Sequence, residues 1–502
     1  MKKILYTLFI LAITLMACDD KLELTPTSSL TFNGFWESEE AVNAAHSGVY
    51  SAFRGYSYTM WQMGELRSDI WGGKTFESPS NEWVIEHTID VENVPWSNWS
   101  GFYSLIHKLN DFIANAPNVE FLDDTKKQHM LGEAYGMRAY VYFTMLKVWG
   151  GVPLSTLPQT TLKIDELSKA RDTEEAVMAQ VKADLAASLE KFGSDDSYFN
   201  GKRVYWSENA TQTLKGEVFI WSGTHMGGGN ADYTIAKTAL TSIANADLLN
   251  NYADIFNFEN KNNEELIFAF DYAIDEASNF YSLFTSRTTE LLGKYDQNGL
   301  LVQDYLESTN AANRYGVSES ILLKMNDPQD TRRNATFVLL YTAAPADPVY
   351  VESDPAYSAS YLNKFMGMVD AGSRNYVSDI PLYRYADVLL LLAEAKNLLG
   401  EDPSSEINRI IERAYGSNYV EAIHNYTNST KEANIQKILD ERLKEFIGEG
   451  KRWWDLRRAG DQYVIDNNQY LNPGDEYKLL VPISRSMMGR NPLLEQTPGY
   501  SN

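Results

Sequence analysis

Apolar residues recur at helical spacing over most of this chain, and the gaps between the stripes mark out its elements. Glu37 to Phe53 predicts one helix. Phe102, Ile106, Leu109 and Ile113 predict another, closed by Pro117. Thr125-Lys126-Lys127-Gln128 matches a capping box. Behind it Leu131, Tyr135, Arg138, Tyr142, Met145, Leu146 and Trp149 share a face until Gly150-Gly151. Asp172 to Glu175 is placed to cap a stripe of Val177, Val181, Leu185 and Leu189, with Gly193 as its stop. Ser207–Thr224 and Tyr233–Ile243 read as a further pair.

The pattern then loosens. From about 246 to 378 the chain is rich in Asn, Asp, Ser and Tyr, with short apolar runs at Leu266–Phe270 and Phe337–Tyr341. These predict an insertion of loops, short strands and a few helical turns. Helical spacing resumes over Ile380–Leu399, where Ala386, Ala393 and Ala395 would admit a close neighbour. The last strong stripe is Ile435, Ile438, Leu439, Leu443, Phe446 and Ile447, with Asp440 and Lys444 spaced as an i,i+4 pair on its solvated side. Successive helix pairs of roughly 34–45 residues predict a mainly α, tetratricopeptide-like helical-repeat scaffold with a loop-rich insertion. A plain helical bundle would carry the same stripes.

One stretch stands apart. Between Arg54 and Gly101 the breakers Gly55, Gly64, Gly72, Gly73, Pro79 and Pro95 predict loops, and five of the 11 tryptophans fall there. Aromatic faces stack on the apolar C–H faces of sugars, while neighbouring polar side chains bond the hydroxyls. Loops on a rigid scaffold suit that task. Arg67, Asp69, Trp71, Asn81 and Trp83 are the candidate ligand residues of this stretch, although Trp71 and Trp83 read equally well as core. Trp96 and Trp99, leading into a helix, read as core.

The N-terminus predicts an address. Lys2 and Lys3 precede an apolar run from Ile4 to Ala17, too short for the ~20 residues of a membrane-spanning helix and patterned as a secretory signal. Leu15-Met16-Ala17-Cys18 is similar to a bacterial lipoprotein signal, in which the cysteine thiol takes a diacylglyceryl group. Cys18 is the single cysteine, so the exported chain can have no internal disulfide and depends on its core. The expected layout is a signal peptide over 1–17, a tether over 18–31 and one domain over 32–502. That domain divides into helical parts 32–245 and 379–502 around the insertion 246–378. A formal charge of −24 disfavours nucleic acid and anionic lipid as partners.

Catalytic patterns are missing. The six histidines show no metal-ligand spacing, no G-x-S-x-G elbow occurs, and Ser188-Leu189-Glu190-Lys191 sits at the end of a helical stripe. A carboxylate pair for glycoside hydrolysis stays open among 68 acids, with nothing to single one out. No cofactor or metal is expected, and the reading is of a binding protein rather than an enzyme.

Several segments resemble the SusD/RagB family of Bacteroidetes nutrient-binding lipoproteins. Gly132–Leu154 is similar to its E-x-x-x-x-R-A-x-x-Y stretch ending in W-G-x-V-P, through Glu133, Arg138, Ala139, Tyr142, Leu146, Trp149, Gly150 and Pro153. Pro381–Asn397 resembles its R-Y-A-D-V helix. Glu441–Arg458 resembles its E-R-x-x-E-F-x-x-E-G ending. Leu479–Tyr500 resembles its N-P-x-L-x-Q-x-P-G-Y tail, with Ser486 near the usual acid and Thr497 where Asn is common.

The resemblance implies a lipoprotein on the outer face of the outer membrane, with Asp19-Asp20 similar to a surface-export signal. It implies oligosaccharide capture for a SusC-like TonB-dependent transporter, over which the protein acts as a lid. A peptide-binding RagB-like role and a surface glycoside hydrolase are the alternatives. Its shallow aromatic site maps to loops 54–98 and about 272–300, where Tyr272, Phe280, Tyr281 and Tyr295 lie, and Tyr281 and Tyr295 join the candidates. The motif residues would set the fold, with Arg138 needing a buried carboxylate such as Glu394 or Glu445.

Overall fold

The computed structural model describes residues 35–501 except 122, 160–162, 164–166 and 307–310. Cys18, the signal and the tether lie outside the described residues.

About half of the chain is helical. The helices that organise it are α1 (Glu39–Arg54), α2 (Ser57–Glu65), α3 (Ser100–Asn115), α4 (Asp124–Trp149), α5 (Glu174–Phe192), α6 (Glu208–His225) and α7 (Gly229–Thr241). After the insertion come α8 (Tyr385–Leu399), α9 (Ser404–Tyr415), α10 (Lys431–Phe446) and α11 (Arg452–Ala459). Helix α4 is the axis of the first part. Its 26 residues span ~39 Å, and 20 of them are buried, because α3, α5 and α6 pack around it. Pairs α4/α5, α6/α7 and α8/α9 follow one another along the chain, which is the helical-repeat architecture expected.

Local chemistry sets the ends. Ser38, Thr173, Ser207 and Thr430 accept first-turn N–H bonds of α1, α5, α6 and α10. The cap of α4 is Asp123, which takes the Thr125 and Lys126 N–H groups, so the box expected at Thr125 begins two residues late. Helix α2 is a second departure. It fills nine residues of the stretch expected to be loop, because Met60, Trp61 and Met63 find core to bury in.

The insertion carries the strands. β1 (Leu266–Phe270) pairs antiparallel with β6 (Ile380–Arg384), β2 (Phe337–Tyr341) with β3 (Tyr357–Leu362), and β4 (Met368–Asp370) with β5 (Ser373–Asn375). Residues 380–384, expected as the first turn of a helix, are extended because β1 needs a partner.

Buried ion pairs hold the layers together. Arg138 lies against Asp184, at 2.6 and 2.9 Å, rather than either glutamate expected. Glu394 takes Arg458, and Glu445 takes Arg384, Arg413 and Arg332. Asp440 accepts from Gln436, and the i,i+4 pair on α10 is Lys437–Glu441 at 2.8 Å. Trp453, Trp454 and Asp455 are buried and dock α11.

Candidate functional site

Helix α2 presents Tyr58 and Gln62 one turn apart on a half-buried face, while Trp61 turns inward. The Tyr58 ring lies over Trp61 at 5.9 Å and 7°, and against Phe280 at 5.1 Å. Its hydroxyl meets that of Tyr315 at 2.7 Å, and the Asn81 amide donates to the same Tyr315 oxygen at 2.8 Å. The Trp96 indole N–H donates to Gln62 Oε1 at 3.4 Å. Tyr58, Phe280 and Trp96 are half-buried, so part of each ring meets solvent. The result is a shallow platform of three aromatic faces, with the Gln62 and Asn81 amides and a tyrosine hydroxyl pair between them.

Its electrostatics are neutral. Burial pushes both the Tyr58 and Tyr315 hydroxyls up, so neither ionises near neutrality. No carboxylate takes part in the bonds that tie the platform together. Such a surface can stack and hydrogen-bond an uncharged ligand, and these residues contain no acid–base pair.

The backbone beneath is strained. Asn81, His87 and Trp96 all adopt left-handed φ, at 55°, 55° and 53°. For Asn this is mild, but a Trp there pays ~1–2 kcal/mol, a cost that persists only where the surroundings enforce it. Pro95 precedes Trp96, and the Gln62 bond ties its indole to α2.

The residues singled out in the sequence divide sharply. Asn81 belongs to the platform. Trp83, two residues on, is half-buried against the main core. Four others are interior. Trp71 is 0% exposed among Trp61, Phe284 and Tyr315. Arg67 lies on the Trp453 ring at 4.4 Å and donates to the Leu479 and Lys478 carbonyls. Burial without a carboxylate brings its guanidinium down to about 9. Asp69 accepts from Arg452 at 2.8 and 2.9 Å. Burial would raise its carboxyl, but Arg452 holds it below the usual range. Tyr281 is 0% exposed and donates to the Gly448 carbonyl. These four are corrected to scaffold residues, because the packing of α2 against the C-terminal turn leaves them no solvent face. Tyr295 is bridged through its backbone to Tyr341 of β2, outside the bonds that tie the platform.

Tyr58, Gln62, Trp96 and Tyr315 were missed. The signals available were the i,i+4 spacing of Tyr58 and Gln62 and a Trp directly after a proline.

Sequence and structure comparisons identify relatives of the whole chain. Residues 255–500 match the model of the SusD family, and residues 20–204 match one described as "Starch-binding associating with outer membrane". NanU of B. fragilis is 38% identical, with 95% of this chain and 100% of that one covered and a TM-score of 0.85. A SusD superfamily protein of Bacteroides vulgatus is 35% identical over 93% of this chain and 100% of that one, with a TM-score of 0.83. SusD-like protein P38 of Formosa agariphila is 26% identical, with 97% of this chain and 96% of that one covered.

Proposed function

The chain belongs to the SusD family, and from that premise we propose that its platform binds oligosaccharide at the cell surface without cleaving it. The observation that carries the reading is the grouping of Tyr58, Trp96 and Phe280 ring faces around the Asn81 and Gln62 amides. Three aromatic faces supply area at low entropic cost, and the amides supply both donors and acceptors for hydroxyls. Tyr58, Asn81 and Trp96 fall inside the segment matched by the starch-binding model, which supports the same reading.

The attachment follows from the N-terminal sequence. Cys18 would carry the lipid, the polar segment Asp19–Thr31 would serve as tether, and the anchored protein would face the cell exterior. Two acyl chains or more give stable attachment, since each buried CH2 contributes ~0.8 kcal/mol. Held there, a protein that only captures ligand is useful beside a SusC-like TonB-dependent transporter that takes the ligand onward.

The test is a glycan array probed with the mature chain from residue 18, followed by titration of each hit against Trp96→Ala and Asn81→Ala. The expected result is binding that both substitutions weaken, with the glycan recovered intact. Binding indifferent to both, or cleavage at enzyme-like rates, overturns the proposal.

A further inference from the structure

Both ends of α2 are latched to distant parts of the chain through buried carboxylates. At its start the Ser57 and Tyr272 hydroxyls meet at 2.6 Å. The Tyr272 N–H in turn donates to Asp379 Oδ1 at 3.3 Å, and the Tyr272 carbonyl accepts from Lys261 at 2.6 Å. At its end Glu65 accepts from the Gly448 and Gly450 N–H groups. Between the two latches lie Tyr58 and Gln62 of the platform.

Each latch sets a second carboxylate beside the first. Asp379 and Asp271 share one cation, the Lys261 ammonium, at 2.7 and 3.1 Å, while Arg54, over the Tyr272 ring, pairs with Glu276. Glu65 bonds the residues on either side of Glu449, and the Lys364 and Arg384 cations there are bound to Glu449. The Tyr281 hydroxyl beside them donates to the Gly448 carbonyl. A carboxylate taken out of water and set next to another favours its protonated form. Burial pushes the Asp379 carboxyl up to about 6 against the pull of Lys261, with Asp271 pushing the same way as burial. Burial likewise pushes Glu65 up to about 8, against the Gly450 and Gly448 N–H groups and Lys364. Opening either latch returns its acid to water, where the ordinary value is ~4. The latched state therefore holds more protons than the open one, over ~4–6 at the start of α2 and ~4–8 at its end. Opening becomes more frequent as pH rises, by up to about tenfold per pH unit for each acid. The two latches have the same sign, so their effects add.

We propose that α2 is a pH-sensitive element, held tightly in mild acid and released progressively towards alkaline pH, and that the platform loosens with it. Its consequence for ligand rests on the proposed function, whereas the opening of α2 does not.

The experiment is amide hydrogen exchange of the mature chain from residue 18 between pH 4.5 and 8.5, corrected for the intrinsic rate. The α2 amides should exchange at least about tenfold faster than those of α5, which marks opening short of unfolding. Their protection should fall at least about tenfold from pH 6 to pH 8. Glu65→Gln, which keeps the shape of the protonated acid, should cut that fall below about threefold, and Asp379→Asn should flatten the slope between pH 4.5 and 6. Tyr272→Phe, which removes the bond to Ser57 and no charge, should lower α2 protection at every pH and leave the slope in place. A slope that persists in Glu65→Gln, α2 exchange no faster than that of α5, or α2 protection untouched by Tyr272→Phe overturns the proposal. Exchange is read without ligand, so this failure is distinct from a failure to bind glycan.

Discussion

Trp71 and Trp96 are 25 residues apart in one tryptophan-rich stretch, and the structure gives them opposite roles. Trp71→Ala empties a fully buried site walled by Trp61, Phe284 and Tyr315, at ring distances of 5.7, 5.5 and 5.7 Å. Core Trp→Ala changes cost ~3–5 kcal/mol. Unfolding entropy near 2.1 cal/mol/K per residue gives ~1 kcal/mol/K over roughly 470 residues, so the loss corresponds to about 3–5 °C in Tm. Trp96→Ala removes a half-buried ring from the platform. Losing an aromatic anchor costs ~2 kcal/mol of affinity, about thirtyfold, with little change in Tm. Trp96→Gly makes the test sharper, because φ of 53° burdens any Cβ. Trp96→Gly should melt ~1 °C above Trp96→Ala while binding no better. Differential scanning calorimetry and titration with an array-identified glycan read both quantities on the same samples. The reasoning fails if Trp71→Ala melts like wild type, or if Trp96→Ala binds like it.

Other consequences are as direct. Arg138→Met leaves Asp184 buried and unpaired, so denaturant unfolding should show a loss of ~3–5 kcal/mol, most of it recovered in Arg138→Met/Asp184→Leu. Burial pushes the Glu217 carboxyl up, but Lys147 and Arg458 overcome it and hold it at about 2. Its stabilisation is therefore complete above an unfolded value near ~4.3 and lost as pH falls towards 2, and Glu217→Gln should flatten the acid limb of a Tm–pH profile. Glu65 has the opposite sign: burial pushes it up to about 8 against the lowering effect of the Gly450 and Gly448 N–H groups. Stability tied to it is full below ~4.3 and lost as pH rises towards 8, so Glu65→Gln should remove that slope, at most ~1.4 kcal/mol per pH unit. Cys18→Ala should move the protein from the membrane fraction to the soluble one on cell fractionation.

Much of the scaffold was legible because a helix that buries one face writes its period into the chain. The stripe of Val177, Val181 and Leu185 became α5, and Ile435 to Phe446 became α10. Partner choice was not legible. Arg138 required a buried acid, and Asp184 sits directly before Leu185 on that apolar stripe, yet only packing brings α4 and α5 together. The site was harder still. Breakers and tryptophans looked like a surface loop, but Met60, Trp61 and Met63 formed a helix and drew Trp71 into the core behind it. Tyr58, Asn81 and Trp96 meet Phe280 and Tyr315 from a segment more than 180 residues away, and no local period announces their meeting. Pro95 before Trp96 was the one local cue, and propensity argues against the left-handed φ that Trp96 adopts.

The family motif and the platform are nevertheless joined by chemistry. Helix α2 ends at Glu65, whose two oxygens accept from Gly448 and Gly450 N–H at 2.8 and 2.6 Å. The Trp61 indole and the Tyr281 hydroxyl both donate to the Gly448 carbonyl. This approach demands glycine: a Cβ on Gly64 would lie 1.8 Å from the Gly450 carbonyl oxygen, and Gly448 and Gly450 hold φ of 85° and 76°. Between them Glu449 accepts from Arg384 at 2.9 and 3.0 Å and from Lys364 at 2.8 Å, all three fully buried or nearly so. The Glu449-Gly450 pair of the C-terminal motif therefore clamps the helix that carries Tyr58 and Gln62. A chain without an internal disulfide needs such a clamp to keep half-buried rings in register, since each mobile side chain would add ~0.5–1.5 kcal/mol to the cost of binding. Under the proposed function, residues that never meet ligand would set its affinity, by fixing α2 before ligand arrives.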